Sequence, residues 1–270
     1  MLRLVSAVVL IALVVVSLWF LPLWATAMLA ATAAALAGGE LARIAARVNA
    51  PVPPVYLGLA SAALAVAFVV YDPSVRGSEE DSLGAVLLAL VVTSGAITLA
   101  LGPPAPSTIA RAAVMLMGPL YIGLPLGAIL WVQWVFGAPA TSWLLGTIVV
   151  SDSAQYYTGR MFGRTKLAPA VSPAKTVEGA IGGLVAAAVL GAFAGPRVLP
   201  NMPLAFACVI ALAVATFGIA GDLFESLLKR SAGVKDSSMI IPGHGGVLDR
   251  IDSHLFAAPV FYLILRYFRA

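Results

Sequence analysis

Charge is the scarcest feature of this chain. Of its 270 residues only 10% are Asp, Glu, Lys or Arg and 61% are hydrophobic, whereas an average soluble domain is about 25% charged. A water-soluble globule of this length cannot cover itself with so few charges, and a disordered chain needs the opposite composition. One cysteine, Cys208, excludes a disulfide framework and a thiolate zinc site. Two histidines, His244 and His254, leave little for a histidine-rich metal cluster. The Gly159–Lys166 stretch lacks Walker A spacing, and no GxGxxG, GxSxG or HExxH occurs, so no soluble-style nucleotide fold is indicated. What the chain does have is long apolar runs. Its class is an all-α polytopic integral membrane protein.

A bilayer core of about 30 Å needs about 20 apolar residues per helix. On that basis nine spans are expected: Leu4 to Leu21, Leu23 to Gly38, Val55 to Tyr71, Leu83 to Leu101, Ala112 to Phe136, Thr141 to Tyr157, Thr176 to Ala194, Leu204 to Ala220 and His254 to Tyr267. Pro22 turns the first two into a hairpin; were that pair re-entrant, the count would be eight. Ala25-Thr26-Ala27 resembles a signal cleavage site, but the apolar run before it exceeds a signal core and a second run follows at once, so a retained anchor is expected.

The charges give an orientation. With a cytoplasmic N-terminus, twelve Lys and Arg fall on inner segments (Arg3, Arg43, Arg47, Arg111, Arg160, Arg164, Lys166, Lys175, Lys229, Arg230, Lys235, Arg250) and four on outer ones (Arg76, Arg197, Arg266, Arg269). That bias follows the positive-inside rule, and it accounts for the net charge of +4 without a nucleic-acid partner. The outer loop Asp72 to Ser82 is acidic, carrying Asp72, Glu79, Glu80 and Asp81. The two long polar loops, Gly159 to Lys175 and Gly221 to Ser253, fall inside, so chemistry on a polar substrate is expected at the cytoplasmic face of a cell membrane.

Seven acidic residues lie near the inner ends of the C-terminal half: Asp152, Glu178, Asp222, Glu225, Asp236, Asp249 and Asp252. Ionisable groups at membrane depth are costly and mark functional sites by default. The N-terminal region, residues 1–140, holds no comparable set and reads as a transmembrane scaffold; residues 141–270 read as the catalytic region of the same membrane domain. Glu40, three residues before Arg43, reads as a local structural pair. If the eighth span continues as a helix through Arg230, Asp222, Ser226 and Lys229 share one face, a column suited to a metal–phosphate ligand or to a polar helix end with a snorkelling lysine. Pro242-Gly243-His244-Gly245-Gly246 reads as a turn whose glycines let backbone N–H groups approach an anion. Asp249 and Asp252 follow at i, i+3, either as oxygen ligands for Mg²⁺ or as an acidic helix N-terminus. Upstream, Ser172-Pro173 is expected to begin a turn, and Lys175-Thr176 before Glu178 to form an anion site at a helix start.

These residues resemble the signature of the phosphatidate cytidylyltransferases, or CDP-diacylglycerol synthases. Ser226, Lys229-Arg230, Lys235-Asp236, Pro242-Gly243-His244-Gly245-Gly246, Asp249-Arg250 and Asp252 stand at matching intervals. Ser172-Pro173-Ala174-Lys175-Thr176-Val177-Glu178-Gly179 resembles the family's Ser-Pro-x-Lys-Thr-x-Glu-Gly element, and Glu40 to Arg43 a weaker N-terminal feature. The motifs span roughly residues 150–253. The resemblance implies that CTP and phosphatidic acid give CDP-diacylglycerol and pyrophosphate with Mg²⁺, the number of carboxylates leaving room for a second cation. It implies Asp222, Asp249 and Asp252 as metal ligands and Ser226, Lys229 and Arg230 as further catalytic residues. Substrate contacts are expected from Ser172, Lys175, Thr176, Glu178, Lys235, Asp236, His244, Gly245, Gly246 and Arg250. It also implies a homodimer. A CTP-dependent lipid kinase of the polyprenol or phytol type, and an ion-coupled transporter, are the alternatives; the transporter is disfavoured because the ionisable groups cluster at one face and the halves show no repeat.

The orientation carries a direct prediction. Cysteines introduced into Gly159–Lys175 or Gly221–Ser253 should react in intact cells only with membrane-permeant reagents. Labelling from outside by an impermeant reagent would contradict it.

Overall fold

The structure, a computed structural model, describes residues 2–70 and 82–269. Tyr71 and the acidic segment carrying Asp72, Arg76, Glu79, Glu80 and Asp81 lie outside the described residues, as do the side chains of Arg3 and Arg269. The elements are α1 (Leu2–Trp19), α2 (Leu23–Arg47), α3 (Pro54–Val70), α4 (Ser82–Ala100), α5 (Thr108–Phe162), β1 (Lys166–Ala168), β2 (Ser172–Thr176), α6 (Val177–Val198), α7 (Leu204–Ser231) and α8 (Leu248–Arg269). Helix dominates, as the composition requires, since a backbone in lipid must satisfy its own polar groups. Among the described residues five helices, α2, α4, α5, α6 and α7, are long and apolar enough to cross a membrane; α1 and α3 are shorter apolar helices. Helix α5 is broken at Gly137, which takes φ 74°, and Pro139 follows without an N–H to continue the ladder. The break falls between the expected fifth and sixth spans.

The chain forms two compact units, one of Met1–Val135 with Ser231–Arg250 and the other of Phe136–Arg230 with Ile251–Ala270. Beyond the division near residue 140 the chain therefore passes between the units twice more, because the segment 231–250 belongs with the N-terminal helices.

In the first unit Pro22 precedes α2 with an extended ψ of 156°, and Thr26 Oγ1 donates to the Ser17 carbonyl at 2.8 Å, closing the α1–α2 hairpin. Helices α2 and α3 approach until backbone meets backbone. A Cβ on Gly38 would stand 2.7 Å from the Leu57 carbonyl oxygen, and one on Gly58 2.6 Å from that of Ala35. Leu57, Leu64, Ile122, Leu130 and Trp131 fill this unit's core. Outward-facing Val8, Val9 and Ile11 of α1 are exposed, an arrangement that suits lipid and not water.

In the second unit α6 buries Gly179, Gly183, Ala187, Gly191 and Gly195, a face of small residues every four positions. Small residues let membrane helices approach closely enough for dispersion and backbone contacts to hold them, where apolar burial gives no drive. A Cβ on Gly183 would lie 2.9 Å from the Ser151 carbonyl oxygen of α5, and one on Gly191 2.7 Å from the Ala207 carbonyl oxygen of α7. Trp143 and Phe261 meet edge to face at 5.3 Å.

The loop expected over Gly159–Lys175 is not irregular. β1 and β2 pair antiparallel, Lys166 with Thr176 and Ala168 with Ser172. Ser172-Pro173, expected to begin a turn, instead lies in β2, and the turn occupies 169–171, closed by Val171 N–H to the Ala168 carbonyl at 3.1 Å. Pro169 supplies the turn, while Pro173 is tolerated because a two-stranded sheet leaves every strand an outer edge.

Close helix packing predicts a contrast between two glycines. Gly183→Ala should lower stability in detergent by about 1–3 kcal/mol through overpacking. Gly146→Ala, whose Cβ would meet only Leu190 at 4.0 Å, should be neutral or stabilising by up to about 1 kcal/mol. Thermal unfolding of the two variants measures the difference, and equal effects would contradict the packing account.

Candidate active site

In the first unit the polar centre is a buried carboxylate that belongs to α2. Glu40 is 0% exposed and accepts four hydrogen bonds. Ser238 Oγ (2.6 Å) and Val247 N–H (3.0 Å) donate to Oε1; Ser237 Oγ (2.9 Å) and Leu248 N–H (2.8 Å) donate to Oε2. The local pair with Arg43 does not form: Arg43 is exposed, and Glu40 instead ties the C-terminal loop to α2. A buried carboxylate is tolerable only when its oxygens are satisfied, and four donors do this here.

Asp249, in the first turn of α8, is also buried. Its Oδ2 accepts from Ser237 N–H (2.9 Å) and Gly246 N–H (2.7 Å) and lies 2.9 Å from the same Ser237 hydroxyl, whose one proton it shares with Glu40. The bond to Gly246, three residues upstream, ties the first turn of α8 back to the loop before it. The amides of residues 246–248 at the start of α8 are thus taken by Glu40 and Asp249, the protein's own anions, in place of the external anion expected at this turn. The signature glycines follow from that closure. Gly245 has φ +80°, and a Cβ there would stand 2.6 Å from Asp249 Oδ2; one on Gly246 would stand 2.5 Å from Glu40 Oε2. His244 Nδ1 lies 2.7 Å from Ser6 Oγ of α1. Lys235, Asp236 and Arg250 are exposed around this loop.

In the second unit the centre is Asp222 on α7. Its Oδ2 pairs with Lys175 Nζ at 2.6 Å, and Ser226 Oγ donates to Oδ1 at 3.3 Å. Helix α7 runs through Arg230, as the column reading requires. Lys229, however, turns to Glu225 one turn back, forming an ion pair buried on both sides. Asp222 therefore draws its cation from β2, not from its own helix. Asp152 of α5 interacts electrostatically with Lys175 and Asp222, and Asp252 of α8 with Asp222, Lys229 and Asp152. Three carboxylates thus share one neighbourhood. Arg230 is exposed and its Nε donates to the Val171 carbonyl of the hairpin turn at 3.4 Å.

The Lys175–Thr176 element sits at a helix start, as expected. Thr176 is the N-cap of α6, its hydroxyl accepting from Gly179 N–H at 3.1 Å. Glu178 spends its carboxylate on Arg164 N–H (3.0 Å) and Thr165 N–H (3.1 Å), fixing the chain between α5 and β1. Ser172 is half-buried in β2. Sequence reasoning missed the roles of Glu40, Ser237 and Glu225. For Glu225 the i, i+4 spacing to Lys229 was a usable signal; for Glu40 only the cost of a carboxylate in an apolar helix hinted at a distant partner.

Among the described residues no three of His, Cys, Asp and Glu form a cluster able to hold a metal. The donor chemistry nevertheless fits Mg²⁺, which takes hard oxygen ligands and commonly binds through one or two carboxylates, with substrate phosphates and water completing the shell. Asp222 and Asp252 in the second unit are carboxylates of that type, and the first unit has one of its own in Asp249.

The chain is 49% identical over 149 residues to a phosphatidate cytidylyltransferase of Helicobacter pylori (strain ATCC 700392 / 26695), covering 54% of each chain. It is 47% identical over 118 residues to the enzyme of that name from Bacillus subtilis (strain 168), 44% of each. The Thermotoga maritima protein of that name matches at 43% over 141 residues, 48% of this chain and 50% of that one. The alignments span about half the length of these curated relatives. The profile of the cytidylyltransferase family matches residues 1–268, nearly end to end, and the chain belongs to that family.

Proposed function

We propose that this chain is a phosphatidate cytidylyltransferase of a cell membrane, joining CTP and phosphatidic acid to give CDP-diacylglycerol and pyrophosphate. The observation that carries the reading is the family match over residues 1–268 together with the unbroken C-terminal signature from Ser226 to Asp252. The bacterial relatives bearing that enzyme name support it. A CTP-dependent lipid kinase is not favoured.

The chemistry asks little of a general base. A phosphate monoester has a second pKa near about 6, so the lipid phosphate is already an anionic nucleophile near neutrality. Its oxygen attacks the α-phosphorus of CTP; one P–O bond forms, and the bond to the β-phosphate oxygen breaks as pyrophosphate leaves. The barrier is lowered by in-line positioning and charge neutralisation. The exposed cations Arg230, Lys235 and Arg250 are suited to the triphosphate and the lipid phosphate. Lys175, held by Asp222, presents an ammonium at the start of α6 that exchanges partners when a phosphate arrives. When bound, Mg²⁺ would supply neutralisation of phosphate charge, with Asp222, Asp249 and Asp252 as its carboxylates. His244, bonded to Ser6, has the place of a loop-shaping residue. Nine spans with a cytoplasmic N-terminus, catalysis at the inner face and a homodimer belong to the same reading.

The test is pyrophosphate release from CTP in liposomes with and without phosphatidic acid. Wild type should release pyrophosphate only with the lipid, and Asp222→Asn should abolish release while the protein stays folded in the membrane. Release of CDP in place of pyrophosphate would identify a kinase. Activity of Asp222→Asn within about tenfold of wild type, or about 1.4 kcal/mol, would remove that residue from the site.

A further inference from the structure

We propose that Glu40, in the N-terminal helical scaffold, is a positioning residue for Asp249, acting through the hydroxyl of Ser237. The inference rests on the reading of Asp249 as a metal-binding carboxylate. Its geometric part stands on this unit alone.

Ser237 Oγ lies 2.9 Å from Glu40 Oε2 and 2.9 Å from Asp249 Oδ2. A hydroxyl carries one proton, so it donates to one of the two carboxylates at a time. Glu40 and Asp249 therefore compete for a single donor, and their placement is coupled without direct contact. The rest of the network makes that coupling stiff. Glu40 also holds Ser238 Oγ and the N–H groups of Val247 and Leu248, the two residues immediately before Asp249. It thus fixes both the segment that carries Ser237 and the start of the helix that carries Asp249. Asp249 answers with bonds to Ser237 N–H and Gly246 N–H. Ser237 is buried, so water does not substitute readily for a lost partner.

The acceptor count explains why a carboxylate is needed at position 40. Four N–H and O–H donors converge on two oxygens. A Gln has one acceptor oxygen and would turn its NH₂ toward two donors; an Asp is one methylene short of spanning both Ser238 and Leu248. Loss of either acceptor would release the amides at the start of α8 and let Asp249 rotate with its helix turn. A residue that merely stabilised the fold would change how much folded protein accumulates. A positioning residue changes how the folded protein meets its cation.

The experiment compares wild type, Glu40→Gln, Glu40→Asp and Ser237→Ala as full-length protein in detergent, by two readouts. Amide hydrogen exchange over residues 237–249 in the absence of substrate should speed up about tenfold in Glu40→Gln, with exchange in α6 and α7 unchanged. The Mg²⁺ concentration giving half-maximal pyrophosphate release should rise at least about tenfold in Glu40→Gln, with the KM for CTP within about threefold, and Glu40→Asp should fall between. Should Glu40→Gln fail to accumulate, Ser237→Ala carries the test, because it removes only the shared hydroxyl; it too should raise the Mg²⁺ requirement. Unchanged exchange over 237–249, or a Mg²⁺ requirement equal to wild type in the folded variants, would overturn the proposal. A wild-type protein that releases no pyrophosphate at any Mg²⁺ concentration would defeat the functional reading instead, leaving the exchange measurement to decide on Glu40.

Discussion

A carboxylate without water must find its donors inside the protein, and Glu40 is where this chain meets that constraint most severely. Fully buried in α2, it is satisfied by hydroxyls and amides about two hundred positions later in the sequence. Those donors come from the segment that carries Lys235, His244 and the paired glycines. The demand of one buried charge thus dictates that residues 231–250 fold with the N-terminal helices and not with the helix that precedes them. It also dictates small residues at 245 and 246, since any side chain there would occupy the space of a carboxylate oxygen.

The same economy governs the second unit, where charges are paired before they are available for chemistry. Lys175 and Asp222 neutralise each other at partial exposure, Glu225 and Lys229 do so in full burial, and Glu178 and Thr176 are spent on backbone amides. The partly exposed pair is held by a modest energy and can reorganise. The buried pair cannot be broken without stranding a charge. Within one cluster, therefore, a pair that can open stands beside charges already committed to holding the fold.

How legible this was in the sequence depends on the range of each interaction. Helices were readable because a 3.6-residue ladder and apolar length are local properties, and the break at Gly137 falls in the gap between the spans that end at Phe136 and begin at Thr141. The continuation of α7 through Arg230 and the N-cap at Thr176 were equally local. The β-hairpin was not foreseen, because Ser172-Pro173 signals a turn locally while the pairing of Lys166 with Thr176 is set across the turn. Glu40 was misassigned to Arg43 for the same reason: an i, i+3 partner is visible in sequence, and Ser237 is not. Lys229 was placed in the Asp222 column although Glu225 stood one turn away, a choice that burial decided. The thirteen signature positions from Ser226 to Asp252 point to the chemistry class without assigning a role to each.

The central claim is that this chain moves the cytidylyl group and not the terminal phosphoryl group of CTP. The most direct measurement is the fate of radiolabel in liposomes containing phosphatidic acid. With CTP labelled at the α-phosphorus, label should pass into organic-extractable lipid; with CTP labelled at the γ-phosphorus, it should appear in water-soluble pyrophosphate. γ-Label in the lipid fraction with α-label left in CDP would contradict the account.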